Sequence, residues 1–317
     1  MTCFDQTAAD AARARQATLT KPEGSLGRLE DLAIFMAGWR GTVRPQMNHV
    51  QAVIFAGNHG IVAQGITPFP AEVTLGMVRN FQNGGAAINQ ICAVAGANLQ
   101  VMPLDLDNPT ADFTQSPAMT ASEVQVAMQR GADAVDPAAD MLVLGEMGIG
   151  NSTVSAALAA ATFGGRAEDW VGPGTGAVGP MLAAKIRVVT EGLTLHAPKT
   201  TPQTLAAFGG REQAAICGAI LRARQLRIPV MLDGFICCAA AAVLTRDDPD
   251  ALAHCLIGHE SAEPGHRRLI AALAKQPVLS LDMRLGEGSG AAVALMVVRA
   301  ALACHNGMAT FAEAGIG

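Results

Sequence analysis

The chain has 317 residues, of which 50% are hydrophobic, 15% charged and 4% aromatic, with 34 glycines and no tyrosine. This apolar content excludes intrinsic disorder, and a chain of this length buries a large core without disulfide or metal staples. Lys and Arg number 22 against 27 Asp and Glu, so the net charge is −5, and the basic stripe typical of nucleic-acid binding is missing from the sequence. We therefore expect no nucleic-acid partner.

Neither a membrane span nor a secretory signal is expected. The longest uninterrupted apolar run, Phe235–Leu244, is about half of the roughly 20 residues that a spanning helix needs. The opening residues, MTCFD, lack a basic start followed by an apolar stretch. The seven cysteines contain no C-x-x-C pair and lie among alanines and leucines, which is typical of buried thiols in a reducing cytoplasm.

The first 45 residues are predicted to form a small helical subdomain. An Ala/Arg-rich helix is followed by a Pro-Gly break at Lys21–Ser25 and by a second helix that carries Leu26, Leu29 and Leu32. Residues from about 305 to 317 are expected to join this subdomain, since nothing after Cys304 resembles a strand. Residues 46–304 then form the main α/β domain.

Within this main domain, short apolar runs alternate with longer alanine-rich segments of helical period. The predicted strands are Val50–Ala56, Leu99–Leu104, Met141–Leu144, Pro229–Leu232 and Pro277–Leu281. The predicted helices are Ala71–Phe81, Ala121–Gly131, Thr153–Thr162, Pro180–Leu195, Arg211–Arg224, Phe235–Leu244, Pro264–Ala274 and Ala291–Cys304. This alternation predicts a parallel sheet with helices on both faces.

The segment Gly145–Thr153 is a candidate anion site, because ligands of parallel sheets bind at the carboxyl ends of the strands. It runs from a strand through glycines into a helix that Asn151, Ser152 or Thr153 could cap, and free N–H groups at such a helix start favour a phosphate. The alternative is an ordinary glycine-rich turn. Glu146 favours the functional interpretation, since a carboxylate beside an anion site suits ribose hydroxyls.

The segment Gly172–Gly179 contains a literal G-x-G-x-x-G. It has neither a convincing preceding strand nor an acidic residue about 20 positions later, so it does not predict NAD binding. A phosphate cradle is more plausible, with Lys185 of the following helix as the counter-charge. An ordinary surface lysine is the alternative interpretation of Lys185.

The segment Gly286–Gly290 surrounds Glu287 with glycines just before an apolar helix. Flanking glycines let a flat ligand approach the backbone and leave the acid with little polar company, which raises its pKa toward that of a useful base. The alternative is a capping loop in which Glu287 interacts with the dipole of the helix Ala291–Cys304.

No metal or other cofactor is expected. The spacings among His254, His259, Glu260 and His266 match neither H-E-x-x-H nor a zinc-finger pair. The sequence also lacks a Walker A motif and a G-x-S-x-G elbow, which disfavours ATP-driven phosphoryl transfer and serine hydrolysis.

Five segments together resemble one enzyme family, the nicotinate-nucleotide:dimethylbenzimidazole phosphoribosyltransferases of cobalamin biosynthesis. They are Lys21–Glu30, Gly145–Asn151, Leu232–Phe235, His259–Glu263 and Arg284–Ala291. The similarity runs from about residue 20 to the end, and the five segments keep the family's order.

The resemblance implies a Rossmann-like three-layer α/β catalytic domain that binds a nucleotide, a small helical domain from the chain ends, and a homodimer. It implies transfer of phosphoribose from nicotinate mononucleotide to a benzimidazole-type base, 5,6-dimethylbenzimidazole, with inversion at C1′. The products would be α-ribazole 5′-phosphate and nicotinate.

The resemblance also assigns roles to individual residues. Glu287 corresponds to the catalytic base. The residues implied to bind the nucleotide and its phosphate are Glu146, Gly148, Asn151, Gly174, Thr175, Gly176, Lys185, Asp233 and Ser261. The residues implied to bind the acceptor base are Phe69, Met77 and Leu285.

The chain departs from the family pattern at three positions. Asn58 stands where the family commonly has Asp, which removes a charge near the expected site, and Glu23 stands where Pro is frequent. Phe69 occupies a position where smaller or polar residues also occur, so the preferred base need not be dimethylbenzimidazole. Two other functions remain open at this point: a non-catalytic nucleotide-binding regulator, and a nicotinate-nucleotide hydrolase that uses water in place of the base.

Overall fold

The structure, a computed structural model, describes residues 3–316. Its centre is a six-stranded parallel sheet with the strand order β2-β1-β3-β4-β5-β6. The strands are β1 (Val50–Ala56), β2 (Ala97–Pro103), β3 (Met141–Met147), β4 (Val230–Leu232), β5 (Cys255–Glu260) and β6 (Pro277–Ser280). The predicted parallel α/β architecture is therefore confirmed, but β5 was not among the predicted strands.

Helices connect and cover the strands, with short 3-10 turns between some of them. They are α1 (Gln6–Thr18), α2 (Arg28–Arg40), α3 (Glu72–Gln82), α4 (Ala87–Ala95), α5 (Ala121–Asp133), α6 (Asn151–Phe163), α7 (Pro180–Leu195), α8 (Thr201–Phe208), α9 (Arg211–Gln225), α10 (Phe235–Ala242), α11 (Pro264–Ala272), α12 (Ser289–Gly307) and α13 (Phe311–Ala314). Helices α4, α8 and α13 were not among the predicted helices.

The sheet is buried on both faces, as strand β1 illustrates. Its seven residues are all buried, and Ala52 to Phe55 alternate between two hydrophobic cores. Val53 and Phe55 belong to the core formed with α6, α9 and α10, whereas Ala52 and Ile54 belong to the core formed with α4 and α12. Because successive side chains of a strand point to opposite faces, this alternation places helices on both sides of the sheet.

Helix α12 is the one helix among residues 3–316 whose length and apolar composition would allow it to cross a membrane. Ala291, Leu295 and Val298 of this helix are fully buried in the second core. Half of its apolar window is buried inside the protein. It therefore packs as a core helix of the sheet.

The two ends of the described chain meet. The Nε of Arg15 in α1 donates a hydrogen bond of 2.9 Å to the carbonyl of His305 in α12, and Leu19 forms a bridge with Thr310. Leu32 and Met36 of α2 lie in the same core as α12. The N-terminal helices are thus anchored on the helix that begins beside Glu287.

The strand order changes direction between β1 and β3. From this point the chain proceeds outward to β2 on one side and through β3 to β6 on the other. In open parallel sheets, the carboxyl ends of the strands at such a switch point border a crevice that binds ligands.

Candidate active site

A cavity lies at the carboxyl ends of strands β3 to β6. Its walls come from the loops that follow these strands, from the turn before α7 and from residues before α3. The residues that line it are Ile66, Thr67, Glu146, Met147, Gly148, Ile149, Gly150, Asn151, Ser152, Pro173, Gly174, Thr175, Lys185, Asp233, Gly234, Phe235, Ile236, His259, Ser261, Glu263, Arg284, Leu285, Gly286 and Glu287.

The structure brings the predicted nucleotide-site residues to this cavity, with the exception of Gly176. Of the residues predicted to bind the acceptor base, Leu285 lines the cavity but Phe69 and Met77 do not. Phe69 is 44% exposed, and Met77 packs half-buried against the core under α12. Ile66 and Thr67, which precede Phe69 in the chain, line the cavity wall instead of Phe69 and Met77.

Glu287 is buried in the loop directly before α12. Its side chain is 6% exposed, and Oε2 has no hydrogen-bond partner among the described residues. Burial is the main cause that raises its pKa to about 7, and the nearby Asp233 carboxylate raises it further. At neutral pH the group therefore exchanges a proton readily, which suits a general base.

Glu146 lies on β3 next to Glu287. Its carboxylate accepts hydrogen bonds from the Asn151 side-chain amide and from the backbone N–H of Glu287. Burial and the Asp233 carboxylate nevertheless raise its pKa to about 8. Glu146 is thus largely protonated at neutral pH, and Glu287 is the more readily ionised of the two glutamates.

Asp233, directly after β4, holds the start of α12 in place. Its Oδ2 accepts from the N–H of Gly288 at 3.1 Å, and its Oδ1 accepts from the N–H of Ala291 at 2.9 Å. The Nε2 of His259 on β5 lies 3.4 Å from Oδ1. Because Gly288 follows Glu287 directly, these bonds fix the backbone that carries Glu287.

The predicted anion site at the start of α6 has the expected glycine-rich loop but a different cap. Asn151, Ser152 or Thr153 was predicted to be the N-cap, and this is wrong: the N-cap is Gly150, with φ +90° and no side-chain cap bond. The side-chain amide of Asn151 instead donates a hydrogen bond to the Glu146 carboxylate. A Cβ on Gly148 would lie 2.6 Å from the carbonyl oxygen of Gly57, so only glycine lets this loop pack there.

Lys185 is buried, so its interpretation as a surface lysine is wrong. It is 2% exposed, and its Nζ donates to the Ser152 hydroxyl at 3.0 Å and to the Gly172 carbonyl at 2.6 Å. Burial lowers its pKa to about 8, while the Glu263 carboxylate opposes that shift. Since an ammonium has three donors, one remains for an anion in the cavity. The turn beside it, at Gly174 and Thr175, also lines the cavity.

Several residues of the cavity were not predicted. Arg284, Glu263 and His259 line it without having been assigned a role in the site. Glu263 and Arg284 lie within two of the segments that carry the family resemblance, and that is the signal that could have identified them. The contact of His259 with Asp233 depends on strand β5, which the periodicity did not reveal.

Asn58, one of the departures from the family pattern, does not line the cavity. It is buried, and its Nδ2 donates a hydrogen bond of 2.9 Å to the carbonyl of Leu106. The expectation that this residue removes a charge beside the ligand is therefore not supported by its position.

Comparison with known proteins agrees with this geometry. A family model described as "Phosphoribosyltransferase" matches residues 1–316. Nicotinate-nucleotide–dimethylbenzimidazole phosphoribosyltransferases from Rhodobacter capsulatus and Ruegeria pomeroyi are 60% and 58% identical to this chain over 312 residues. In both cases the match covers 98% of this chain and 93% of the relative.

Solved structures give the same result. The crystal structure of nicotinate-nucleotide-dimethylbenzimidazole phosphoribosyltransferase from Thermus thermophilus superposes with a TM-score of 0.92 at 37% identity. The match covers 99% of both chains. The chain therefore belongs to the nicotinate-nucleotide–dimethylbenzimidazole phosphoribosyltransferase family.

Proposed function

We propose that this protein transfers phosphoribose from nicotinate mononucleotide to 5,6-dimethylbenzimidazole, giving α-ribazole 5′-phosphate and nicotinate for cobalamin biosynthesis. The observation that carries the proposal is a buried carboxylate, Glu287, in the same cavity as an anion cradle formed by Lys185 and the Gly174 turn. This pairing suits a substrate that combines a phosphate with a reacting ring.

Glu287 supplies the one proton transfer that the reaction needs. The nicotinate ring leaves C1′ with the electron pair of the broken C–N bond, which neutralises its pyridinium nitrogen, so no general acid is required. The acceptor forms its new C–N bond through one ring nitrogen, and the proton on its other nitrogen passes to Glu287. With a pKa of about 7, Glu287 is matched to this task at neutral pH.

The remaining catalytic effect comes from orientation. The phosphate held near Lys185 and the acceptor held near Glu287 place the ribose between two flat rings on opposite faces of C1′. Displacement in line then inverts the configuration, which turns a β-nucleotide into an α-nucleotide. Ile66, Thr67 and Leu285 would form the acceptor side of the cavity.

A nicotinate-nucleotide hydrolase is the second candidate function. The apolar side chains of Ile66, Leu285 and Phe235 in the cavity wall favour a second ring over an ordered water. Family membership also supports the transferase.

The test is an incubation of the purified protein with nicotinate mononucleotide, with and without dimethylbenzimidazole, followed by chromatography. We expect nicotinate and the α-nucleotide in equal amounts, and only when the base is present. Nicotinate and ribose 5-phosphate formed independently of the base would instead establish the hydrolase.

Family membership also supports three finer proposals: a homodimer, a cytoplasmic location, and a helical subdomain of residues 1–45 joined by about 305–317. Analytical ultracentrifugation tests the first of these. A sedimentation mass of twice 32.6 kDa is expected, and a mass of one chain would contradict it.

A further inference from the structure

Glu263 is a buried acid in the anion cradle that the reaction described above leaves without a role. It lies directly before α11, at the N-cap position, but its side chain does not cap the helix. It is 8% exposed and lines the cavity together with Lys185 and Gly174. A carboxylate at a site for an anion needs an explanation, because like charges repel each other most strongly where water is excluded.

The two oxygens of Glu263 have different surroundings. The carboxylate accepts a hydrogen bond from the backbone N–H of Gly174. Its Oε2 packs so closely on the turn that a Cβ on Gly172 would lie 2.2 Å from it. Its Oε1 is buried and has no hydrogen-bond partner among the described residues. The carboxyl group thus supports the turn through one oxygen, while its other oxygen lacks a hydrogen-bond partner among the described residues.

The charges around Glu263 do not balance once a phosphate arrives. Lys185 of α7 and Arg284 of the β6–α12 loop are the cations that stabilise its ionised form. His266 lies on α11, the helix that Glu263 precedes. It adds no positive charge, because burial lowers the pKa of this imidazole to about 3. Burial also raises the pKa of Glu263 itself. A phosphate dianion placed beside Lys185 would add negative charge close to this carboxylate, and the two anions would repel each other.

We propose that Glu263 takes up one proton from solvent when the nucleotide's phosphate binds, and then donates a hydrogen bond from Oε1–H to a phosphate oxygen. This inference rests on the proposed function. The carboxyl group keeps its bond from Gly174, so the cradle does not have to rearrange. In the free protein the carboxylate preserves the shape of the cradle, and in the complex the neutral acid recognises the phosphate.

The substitution Glu263→Gln fixes the neutral form. Its amide oxygen can still accept from Gly174, and its NH₂ can donate to the phosphate. Binding of nicotinate mononucleotide to the wild-type protein should weaken as pH rises, by up to tenfold per pH unit, since one proton is bound with the ligand. Binding of nicotinate mononucleotide to the variant should not weaken in this way as pH rises.

Isothermal titration calorimetry at pH 7, in two buffers of different ionisation enthalpy, measures the protons taken up. We expect wild type to take up about one proton more than Glu263→Gln on binding nicotinate mononucleotide. Lys185 adds little at this pH, because its pKa of about 8 keeps it mostly protonated already. Glu168→Gln, which neutralises an exposed acid, is the matched control and should behave as wild type.

A second ligand allows the same test on the wild-type protein alone, so that the result does not depend on how well the variant folds. Nicotinate riboside lacks the phosphate, so its binding to wild type should take up about one proton less than that of the mononucleotide. Equal proton uptake for the two ligands, or equal uptake by wild type and a folded Glu263→Gln that binds the mononucleotide, would overturn the role of Glu263 but leave the proposed function intact. Failure of the wild-type protein to bind the mononucleotide would overturn both.

Discussion

Glu287 occupies a backbone conformation that residues with a side chain rarely adopt. Its φ is +65°, between Gly286 at +85° and Gly288 at +81°. Such left-handed conformations cost free energy unless the surroundings enforce them, and they concentrate at functional sites. The glycines around Glu287 could be recognised from the sequence. The two hydrogen bonds by which Asp233 holds this loop could not, because these residues are brought together only by the tertiary fold.

The pKa of Glu287 predicts how the rate depends on pH. Below a pH of about 7 the carboxyl group is largely protonated and cannot accept the acceptor's proton. With both substrates saturating, we expect kcat to rise with pH, by up to tenfold per unit, and to level off above about 7. A kcat that is flat between pH 5 and 8 would show that Glu287 does not act as the base.

Lys185 should contribute more to the binding of nicotinate mononucleotide than to the rate of the chemical step. Replacing it with Met removes a buried ammonium from the cavity wall, so we expect KM for nicotinate mononucleotide to rise tenfold or more with a smaller change in kcat. KM for the acceptor base should hardly change. Steady-state kinetics with each substrate varied in turn measures this, and a loss confined to kcat would contradict the assignment.

At the scale of elements, strand β5 shows where sequence patterns fail. Its residues, Cys-Leu-Ile-Gly-His-Glu, are mostly buried and do not alternate between apolar and polar. The glycine in it, Gly258, weakens the strand pattern, but a Cβ there would lie 2.6 Å from the Cα of Ala291. The close approach of α12 explains this glycine, and no local pattern reveals it.

Gly145 of β3 provides an equally close contact with the loop of Glu287. A Cβ at this position would lie 2.7 Å from the carbonyl carbon and oxygen of Glu287. Gly145→Ala must therefore displace the loop that carries Glu287, and we expect roughly a 10- to 100-fold loss of kcat and about 1–3 kcal/mol of stability. Kinetics and urea unfolding measure the two effects.

Gly307→Ala is the control for this substitution. Gly307 ends α12, and a Cβ there would meet nothing within 4 Å. We expect unchanged activity and equal or slightly higher stability, since alanine favours helix over glycine by about 1 kcal/mol in a helix interior. Equal activities of the two alanine variants would contradict the close packing inferred for Gly145.

At the scale of the whole molecule, alternating strands and helices predicted the parallel sheet, and the order of the glycine-rich loops predicted which edge carries the site. The sequence did not predict that Phe69 and Met77 lie away from the cavity, while Ile66 and Thr67 line it. Ile66, Thr67 and Phe69 precede α3 and Met77 lies within it, so the directions of these side chains depend on how α3 packs against β2 and β3. These directions are fixed by tertiary packing and not by local preference.

Burying the acids of the site makes stability depend on pH. An exposed glutamate titrates near 4.5, whereas folding raises the pKa of Glu287 to about 7, so this group's contribution to stability declines as pH rises from about 4.5 to 7. Glu287→Gln removes that cost. We expect the variant to have a higher Tm than wild type at pH 8 and a similar one at pH 4.5, by calorimetry at both values. A lower Tm at pH 8 would show that the ionised carboxylate stabilises the fold.

Glu287 is proposed to accept the proton of the incoming base, and the activity of Glu287→Gln is the decisive test of this role. Formation of the α-nucleotide from nicotinate mononucleotide and dimethylbenzimidazole should fall by about 100-fold or more, the range of general-base catalysis. Calorimetry should show nicotinate mononucleotide binding within a few-fold of wild type. A variant that binds the nucleotide and turns over at the wild-type rate would show that Glu287 is not the base.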